Sequence, residues 1–264
     1  ALANALEEFC TVTVDKGTVL SMRAKKTRAE IRCMKHVQNI TQAAMDHAVS
    51  LIRRSTVKKG ILHTGGKPLT SEHLKFVMHC FLLEYGCCAE DTIVSCGEDT
   101  AVPHMTGDGP LLADEPIIID IFPLHEKTGY YADMTRTVVK GEPSQEILEM
   151  YTALREAKQL AISRVKSGVS GAELYQYVVD FFKDRGYESS TRGFVHNLGH
   201  GVGLQVHELP TVGPSGTPLE QGNVITIEPG LYYPGTGGVR LEDIGLVTGE
   251  GFDNFTAFAE DLVL

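Results

Sequence analysis

The sequence predicts an α+β fold built from two similar halves, and three observations predict it. The order helix, helix, strand pair occurs twice along the chain. Each helical pattern opens on a residue suited to capping: Thr27, Thr70 or Ser71, Ser144 and Ser170. Both strand pairs are apolar runs interrupted by acids, Asp120 and Asp133 in the first, Glu228 and Glu242 in the second. The two halves share little sequence identity. Their order predicts strand pairs that face each other with four carboxylates converging between them.

The segment up to about Met22 mixes a short helical piece with the alternating run TVTVDKGTVL. From Thr27 to Arg54 the apolar residues Ile31, Met34, Val37, Ile40, Met45, Val49 and Ile52 recur at helical spacing, and Glu30 stands three residues after Thr27 as in a capping box. A second helix runs from Thr70 or Ser71 through Leu83 and is closed by Gly86. Short strand-like runs follow: TIVSCG, PIIIDIF and, after a turn-rich loop, YYADMTRTVVKG, which reads as a hairpin or meander. The second half repeats the order, with helices from Ser144 to about Val165 and from Ser170 through Phe182, stopped by Gly186. The runs VITIEPGLYY and GVRLEDIGLVTG then form the second strand pair.

Bulk composition bounds the function classes. The 264 residues, 42% hydrophobic and 22% charged, are ordinary for a globular protein with a buried core. No apolar run of about 18 residues is present and no basic-then-apolar leader opens the chain, which excludes a membrane-spanning helix and an intact signal peptide. A net charge of −10 provides no field for nucleic acid or anionic lipid. Six cysteines without CxxC pairing (Cys10, Cys33, Cys80, Cys87, Cys88 and Cys96) read as reduced thiols of a cytoplasmic protein. The adjacent Cys87 and Cys88 read as small buried hydrophobes.

The acids carry more information. Asp120 ends the run Ile117, Ile118, Ile119, where a lone carboxylate is costly. Asp133 sits within a strand-like segment with Arg136 near enough for an ion pair, Glu228 interrupts VITIEPG, and Glu242 stands beside Arg240. Taken singly, each acid is equally well a structural ion pair or a strand-end cap. Two arginines cannot neutralise four acids, so the set points to bound cations, and such breaks of local pattern mark functional sites.

The stretch FVHNLGHGVGLQVHELP adds an imidazole. Gly199 and Gly201 flank His200 and let the backbone bring it close to a metal cluster. His196 lies four residues before it and His207 seven after. The string is a poor phosphate loop, since no lysine follows it, and no HExxH is present. One imidazole among carboxylates suits Mn²⁺, Co²⁺, Fe²⁺ or Zn²⁺. Two such ions about 3.5–4 Å apart can clamp an attacked carbonyl.

The order Asp120, Asp133 in DMTRT, His200 in GHGVG, Glu228 in IEPG and Glu242 in RLEDIG resembles the metallopeptidase family of methionine aminopeptidase, aminopeptidase P and prolidase, from about Glu30 to the end. The resemblance implies the pita-bread fold, internally duplicated halves around a curved antiparallel sheet, and two divalent metal ions per chain, Mn or Co first, with Zn or Fe as alternatives. It implies that Asp120 chelates one ion, His200 and Glu228 the other, and that Asp133 and Glu242 bridge both. Glu228 would also shuttle the water's proton, His104 would line the substrate pocket and His207 would hydrogen-bond the substrate carbonyl. His196 and the thirteen residues between Glu228 and Glu242 resemble prolidase and aminopeptidase P. In those enzymes the positions of His196 and Arg240 help hold a proline-containing substrate.

The implied activity is hydrolysis of the Xaa-Pro bond at a peptide N-terminus or in a dipeptide. The alternatives are a catalytically silent binding module, a metal-free hydrolase of the creatinase type and methionine aminopeptidase-like activity. Phe122 stands where the family commonly has glycine, and two extra residues precede Asp133, which alters one side of the pocket. Residues 1–22 are expected to be the remnant of a truncated N-terminal domain or linker and residues 23–264 the catalytic domain. A homodimer is expected of the full-length protein.

Overall fold

The computed structural model describes every residue except Ala1, Val14 and Lys16. The alternating run 11–20 therefore falls partly outside the described residues. Its end is helical: after α1 (Leu2–Leu6), Asp15 accepts a hydrogen bond from the Thr18 amide at 2.9 Å at the start of α2 (Thr18–Ala24). The helix runs across Met22.

Helix α3 (Arg28–Arg54) forms as its pattern predicts. Thr27 and Glu30 exchange both bonds of a capping box, the Thr27 amide to the Glu30 carboxylate at 2.7 Å and the Glu30 amide to the Thr27 hydroxyl at 3.3 Å. A cap of this kind contributes about 1 kcal/mol. Met34, Val37, Ile40, Met45, Val49 and Ile52 are all buried along one face. Between α3 and α4 lies a meander that the sequence reading missed: β1 (Thr56–Lys58), β2 (Ile61–Thr64) and β3 (Lys67–Pro68). Its strands are only two to four residues long. Its signal was the two-residue turns Lys59-Gly60 and Gly65-Gly66, all at positive φ, the geometry of tight hairpins.

Helix α4 (Ser71–Glu84) is capped by the Thr70 hydroxyl. Strand β4 (Cys87–Cys88) pairs with β7 (Leu124–His125), while β5 (Ile93–Cys96), β6 (Ile117–Ile121) and β8 (Met134–Val138) form an antiparallel sheet in the order β5-β6-β8. Its register sets Asp120 opposite Thr135. The second half opens with α5 (Gln145–Arg164) and α6 (Gly171–Asp184), capped by Ser144 and Ser170. Strands β9 (Gly199–Gly201), β10 (Glu208–Val212), β11 (Val224–Ile227), β12 (Gly230–Tyr233), β13 (Gly237–Arg240), β14 (Asp243–Val247) and β15 (Phe252–Asn254) follow. They give a sheet of order β10-β9-β11-β14-β15 and a ribbon β12-β13.

Each run expected to be one strand breaks at its glutamate. Glu228 and Pro229 separate β11 from β12, and Leu241 and Glu242 separate β13 from β14. Proline has no amide hydrogen to continue a ladder. The halves keep separate cores: Val37, Met45, Leu74, Met78, Ile119 and Met134 belong to the first, and Leu154, Leu174, Phe182, Ile227 and Leu241 to the second. They join where β8 meets the break before β14. Thr135 and Glu242 form a bridge there, and the Thr137 hydroxyl donates to the Arg240 carbonyl at 2.8 Å.

Both expected ion pairs are exchanged for others. Arg136 does not reach Asp133, because an odd separation along a strand puts the two side chains on opposite faces. It instead donates to the Asp243 carboxylate at 2.9 Å and to the Glu242 carbonyl at 2.8 Å. Arg240 pairs with Asp120 at 2.7 Å rather than with Glu242, and β13 and β14 belong to different sheets. Lys158, only 1% exposed, completes the buried cluster with a 2.6 Å bond to Asp243.

Removing Asp243 leaves the buried Arg136 without a carboxylate partner and Lys158 with Glu260 alone. Asp243→Asn is expected to cost about 3–5 kcal/mol of unfolding free energy, the range for breaking a buried pair. Guanidinium denaturation measures it, and a loss below about 1 kcal/mol, typical of exposed pairs, would contradict the role given to this cluster.

Candidate metal centre

The acids reach the site from four backbones. Asp120 projects from β6, and Asp133 stands just before β8 with its amide donating to Gln38 Oε1 at 3.3 Å. Glu228 follows β11, and Glu242 precedes β14, where Thr135 Oγ1 donates to its Oε2 at 2.7 Å. His200 is the middle residue of β9, between the backbones of β10 and β11. A Cβ on Gly199 would lie 2.1 Å from the Thr226 carbonyl oxygen, and one on Gly201 would lie 2.1 Å from that of Leu209. The flanking glycines therefore let β9 pack closely against its neighbouring strands on both sides.

Ligand atoms of Asp133, His200 and Glu242 all lie within 4.8 Å of one another. His200 Nε2 is 3.2 Å from Glu228 Oε1 and 3.7 Å from Asp133 Oδ2. All five residues line one cavity of about 850 Å³, together with His104, His196, His207, Arg240 and Phe122. Every site residue read from the sequence is thus brought to the same cavity.

The electrostatics show what the cavity lacks. Burial pushes the Asp133 carboxyl well above the usual carboxylate range, and the Asp120 charge pushes it further. Glu242 is raised in the same way by burial and then by Asp133. Burial works against the charged forms of Glu228 and His200 too, but their mutual bond outweighs it, holding Glu228 at about 2 and His200 at about 9. A charged imidazole between carboxylates marks a place where positive charge is needed. Asp120 Oδ1 is buried without a hydrogen-bond partner, while Oδ2 takes Arg240. An orphaned buried oxygen and three converging ligand atoms fit divalent cations.

A relay borders the acids. Arg240 Nη1 donates to the Tyr232 hydroxyl at 2.8 Å, and that hydroxyl lies 2.9 Å from His196 Nε2. His196 Nδ1 faces the Asn197 carbonyl at 2.7 Å, so it carries the proton and Nε2 accepts from Tyr232. Burial holds the His196 pKa below its ordinary value and keeps the ring neutral. His207 packs edge-on against His200 with ring centroids 4.2 Å apart, and His104 lies exposed at the cavity wall. Sequence reasoning missed Tyr232 and Thr135. Tyr232 looked like one more aromatic strand residue, and Thr135 bonds to Glu242 only through the pairing of distant strands.

Comparison with known proteins agrees with this geometry. The profile of metallopeptidase family M24 matches residues 32–249. An uncharacterised peptidase of Staphylococcus aureus is 34% identical over 245 residues, 91% of this chain and 65% of its own length. The Xaa-Pro dipeptidase of Lactobacillus delbrueckii subsp. lactis is 40% identical over 177 residues, 65% of this chain and 46% of its own. The chain thus spans less than two thirds of these relatives. Among solved structures, an Xaa-Pro dipeptidase from Bacillus anthracis superposes with TM-score 0.85 at 32% identity, covering 95% of this chain and 67% of that one. An X-Pro aminopeptidase from Thermotoga maritima gives TM-score 0.86 at 29% identity, covering 100% and 71%. The fold is the pita-bread α+β fold, the family implies divalent metal ions, and the chain belongs to metallopeptidase family M24.

Proposed function

We propose that the chain is the catalytic domain of a dinuclear-metal exopeptidase that hydrolyses the Xaa-Pro bond at a peptide N-terminus or in a dipeptide. The observation that carries this reading is the convergence of Asp120, Asp133, His200, Glu228 and Glu242 in one cavity beside the Arg240–Tyr232–His196 relay. Asp120 would hold one ion, His200 and Glu228 the other, with Asp133 and Glu242 shared. Mn²⁺ or Co²⁺ suits these donors best, with Zn²⁺ or Fe²⁺ as alternatives. Divalent ions there activate water and polarise the scissile carbonyl.

The chain's own groups do the rest. Glu228 takes the water's proton and passes it to the leaving prolyl nitrogen. His207 donates to the carbonyl oxygen as charge develops on it. His196 and Arg240, fixed through Tyr232, hold the proline-containing part of the substrate, and His104 lines its pocket. Residues 1–22 as linker or domain remnant, residues 23–264 as the catalytic unit and a homodimer of the longer protein belong to the same reading. Free thiols at all six cysteines support a cytoplasmic setting. No helix among the described residues is long and apolar enough to cross a membrane.

Protein stripped of metal and resupplied with Mn²⁺ or Co²⁺ is expected to release Xaa from Xaa-Pro and Xaa-Pro-Yaa peptides, followed by chromatography. No cleavage with any of the four metals would overturn the reading. Glu228→Gln is expected to lower kcat by about 10²–10⁴-fold, the usual share of proton transfer, with circular dichroism unchanged. Retained turnover would show that Glu228 does not carry the proton.

Asp133 and Glu242 bind protons in the folded state at pH values where the unfolded chain has released them. Without metal, stability therefore falls as pH rises through the usual carboxylate range and above it. At neutral pH, Asp133→Asn is expected to raise the melting temperature of metal-stripped protein, by about 2–4 °C for each kcal/mol recovered, and to abolish the further rise on adding Mn²⁺. A variant less stable than the stripped parent would contradict the like-charge repulsion.

A further inference from the structure

Residues 18–26 precede the span matched by the family profile, yet they form part of the cavity wall: Leu20 on α2 lines it. The loop between β9 and β10, residues 202–207, carries His207 into the cavity. Directly after His207, the Glu208 side chain turns back beneath this loop, so closely that a Cβ on Gly203 would lie 2.3 Å from its Oε1. The Glu208 carboxylate is 3% exposed, and each oxygen takes one cation: Lys26 Nζ at 2.7 Å on Oε1 and Arg23 Nη2 at 2.6 Å on Oε2. Arg23 Nη2 also donates to Gln205 Oε1 in the loop at 3.3 Å.

The two cations are themselves anchored. The Lys26 amide donates to the Gly222 carbonyl at 2.8 Å, and Asn223 Nδ2 donates to the Ala24 carbonyl at 3.0 Å. Segment 23–26 is thereby fixed to the start of β11, whose other end leads into Glu228. On the opposite side, the Tyr131 amide donates to the Gly203 carbonyl at 2.9 Å. The loop is held from both flanks, and on one flank the holders are charged groups.

We infer that Arg23 and Lys26 are positioning residues, acting through Glu208 to fix the loop that aims His207 at the substrate carbonyl. This rests on the role proposed for His207. Charge-assisted bonds of this length are short, directional and stronger than neutral ones, so they suit placing a donor. A misplacement of about 1 Å at such a donor can cost on the order of 10²-fold in rate. The clamp makes catalysis depend on a segment outside the five-ligand centre.

Kinetics of the full chain with Mn²⁺ and an Xaa-Pro-Yaa peptide test this. Arg23→Met leaves the Lys26–Glu208 pair in place, so folding and metal content are expected to persist while kcat falls about tenfold, the loss belonging to the transition state rather than to uniform binding. Arg23→Lys, which keeps a donor, is expected to restore most of the rate. Glu208→Gln is expected to match Arg23→Met, and if it fails to fold, Arg23→Met decides. In a His207→Ala background, adding Arg23→Met is expected to change kcat by less than about twofold, because residues acting as one unit are not additive. An unchanged kcat in Arg23→Met, or the same factor lost with and without His207, would overturn the proposal. If the wild-type chain cleaves no Xaa-Pro peptide, the proposed function fails, and the clamp is then read from the ¹⁵N resonances of the His207 ring. A shifted or broadened signal in Arg23→Met supports the clamp, and an identical spectrum removes it.

Discussion

The constraint on which this structure turns is the burial of like charge. Asp120, Asp133, Glu228 and Glu242 share one cavity, and among the described residues only Arg240 and the His200 imidazole face them with positive charge. Burying a carboxylate without a counter-charge is costly. The protein meets this in part by pushing the Asp133 and Glu242 carboxyls well above the usual range, toward their neutral forms, and by raising His200 to about 9. Divalent cations would provide positive charge in the same place.

Backbone geometry produces this crowding, and the crowding explains where regular structure stops. β11 ends just before Glu228 and β14 begins just after Glu242, so each glutamate sits at a break where the chain passes between the five-stranded sheet and the β12-β13 ribbon. Thr135 ties the halves together: it lies opposite Asp120 in one direction and bridges Glu242 in the other, and its hydroxyl holds the Glu242 carboxylate. Behind this seam, Arg136 and Lys158 pair with Asp243 and Glu260 in a second, largely buried charged cluster. That cluster neutralises itself, so its ions are structural. The four cavity acids outnumber the cationic partners that face them, and that imbalance separates a binding site from a structural network.

Much of this was legible locally. The caps at Thr27, Ser144 and Ser170 and the spacing from Met34 to Ile52 specify helices through bonds a few residues long. The acids stood out because each broke an apolar run, and the glycines around His200 because only close backbone approach explains them. What stayed hidden depends on pairings between distant segments. Arg136 and Arg240 stand beside their nearest acids in sequence, whereas strand pleating and the change of sheet after β13 direct them to Asp243 and Asp120. Tyr232 gains its meaning only when β12 brings it between His196 and Arg240. Glu208 follows His207 directly, but its partners lie more than 180 residues away.

The fold and the family follow from the comparisons, whereas the proposed dinuclear chemistry requires Asp133 and Glu242 each to touch two ions. Anomalous diffraction from crystals of Mn²⁺-loaded protein tests that requirement most directly. Two peaks are expected about 3.5–4 Å apart, the spacing of paired-metal sites, with Asp133 and Glu242 touching both, Asp120 on one, and His200 and Glu228 on the other. A single peak on Asp133, His200 and Glu242, with Asp120 and Glu228 free of metal, would contradict it.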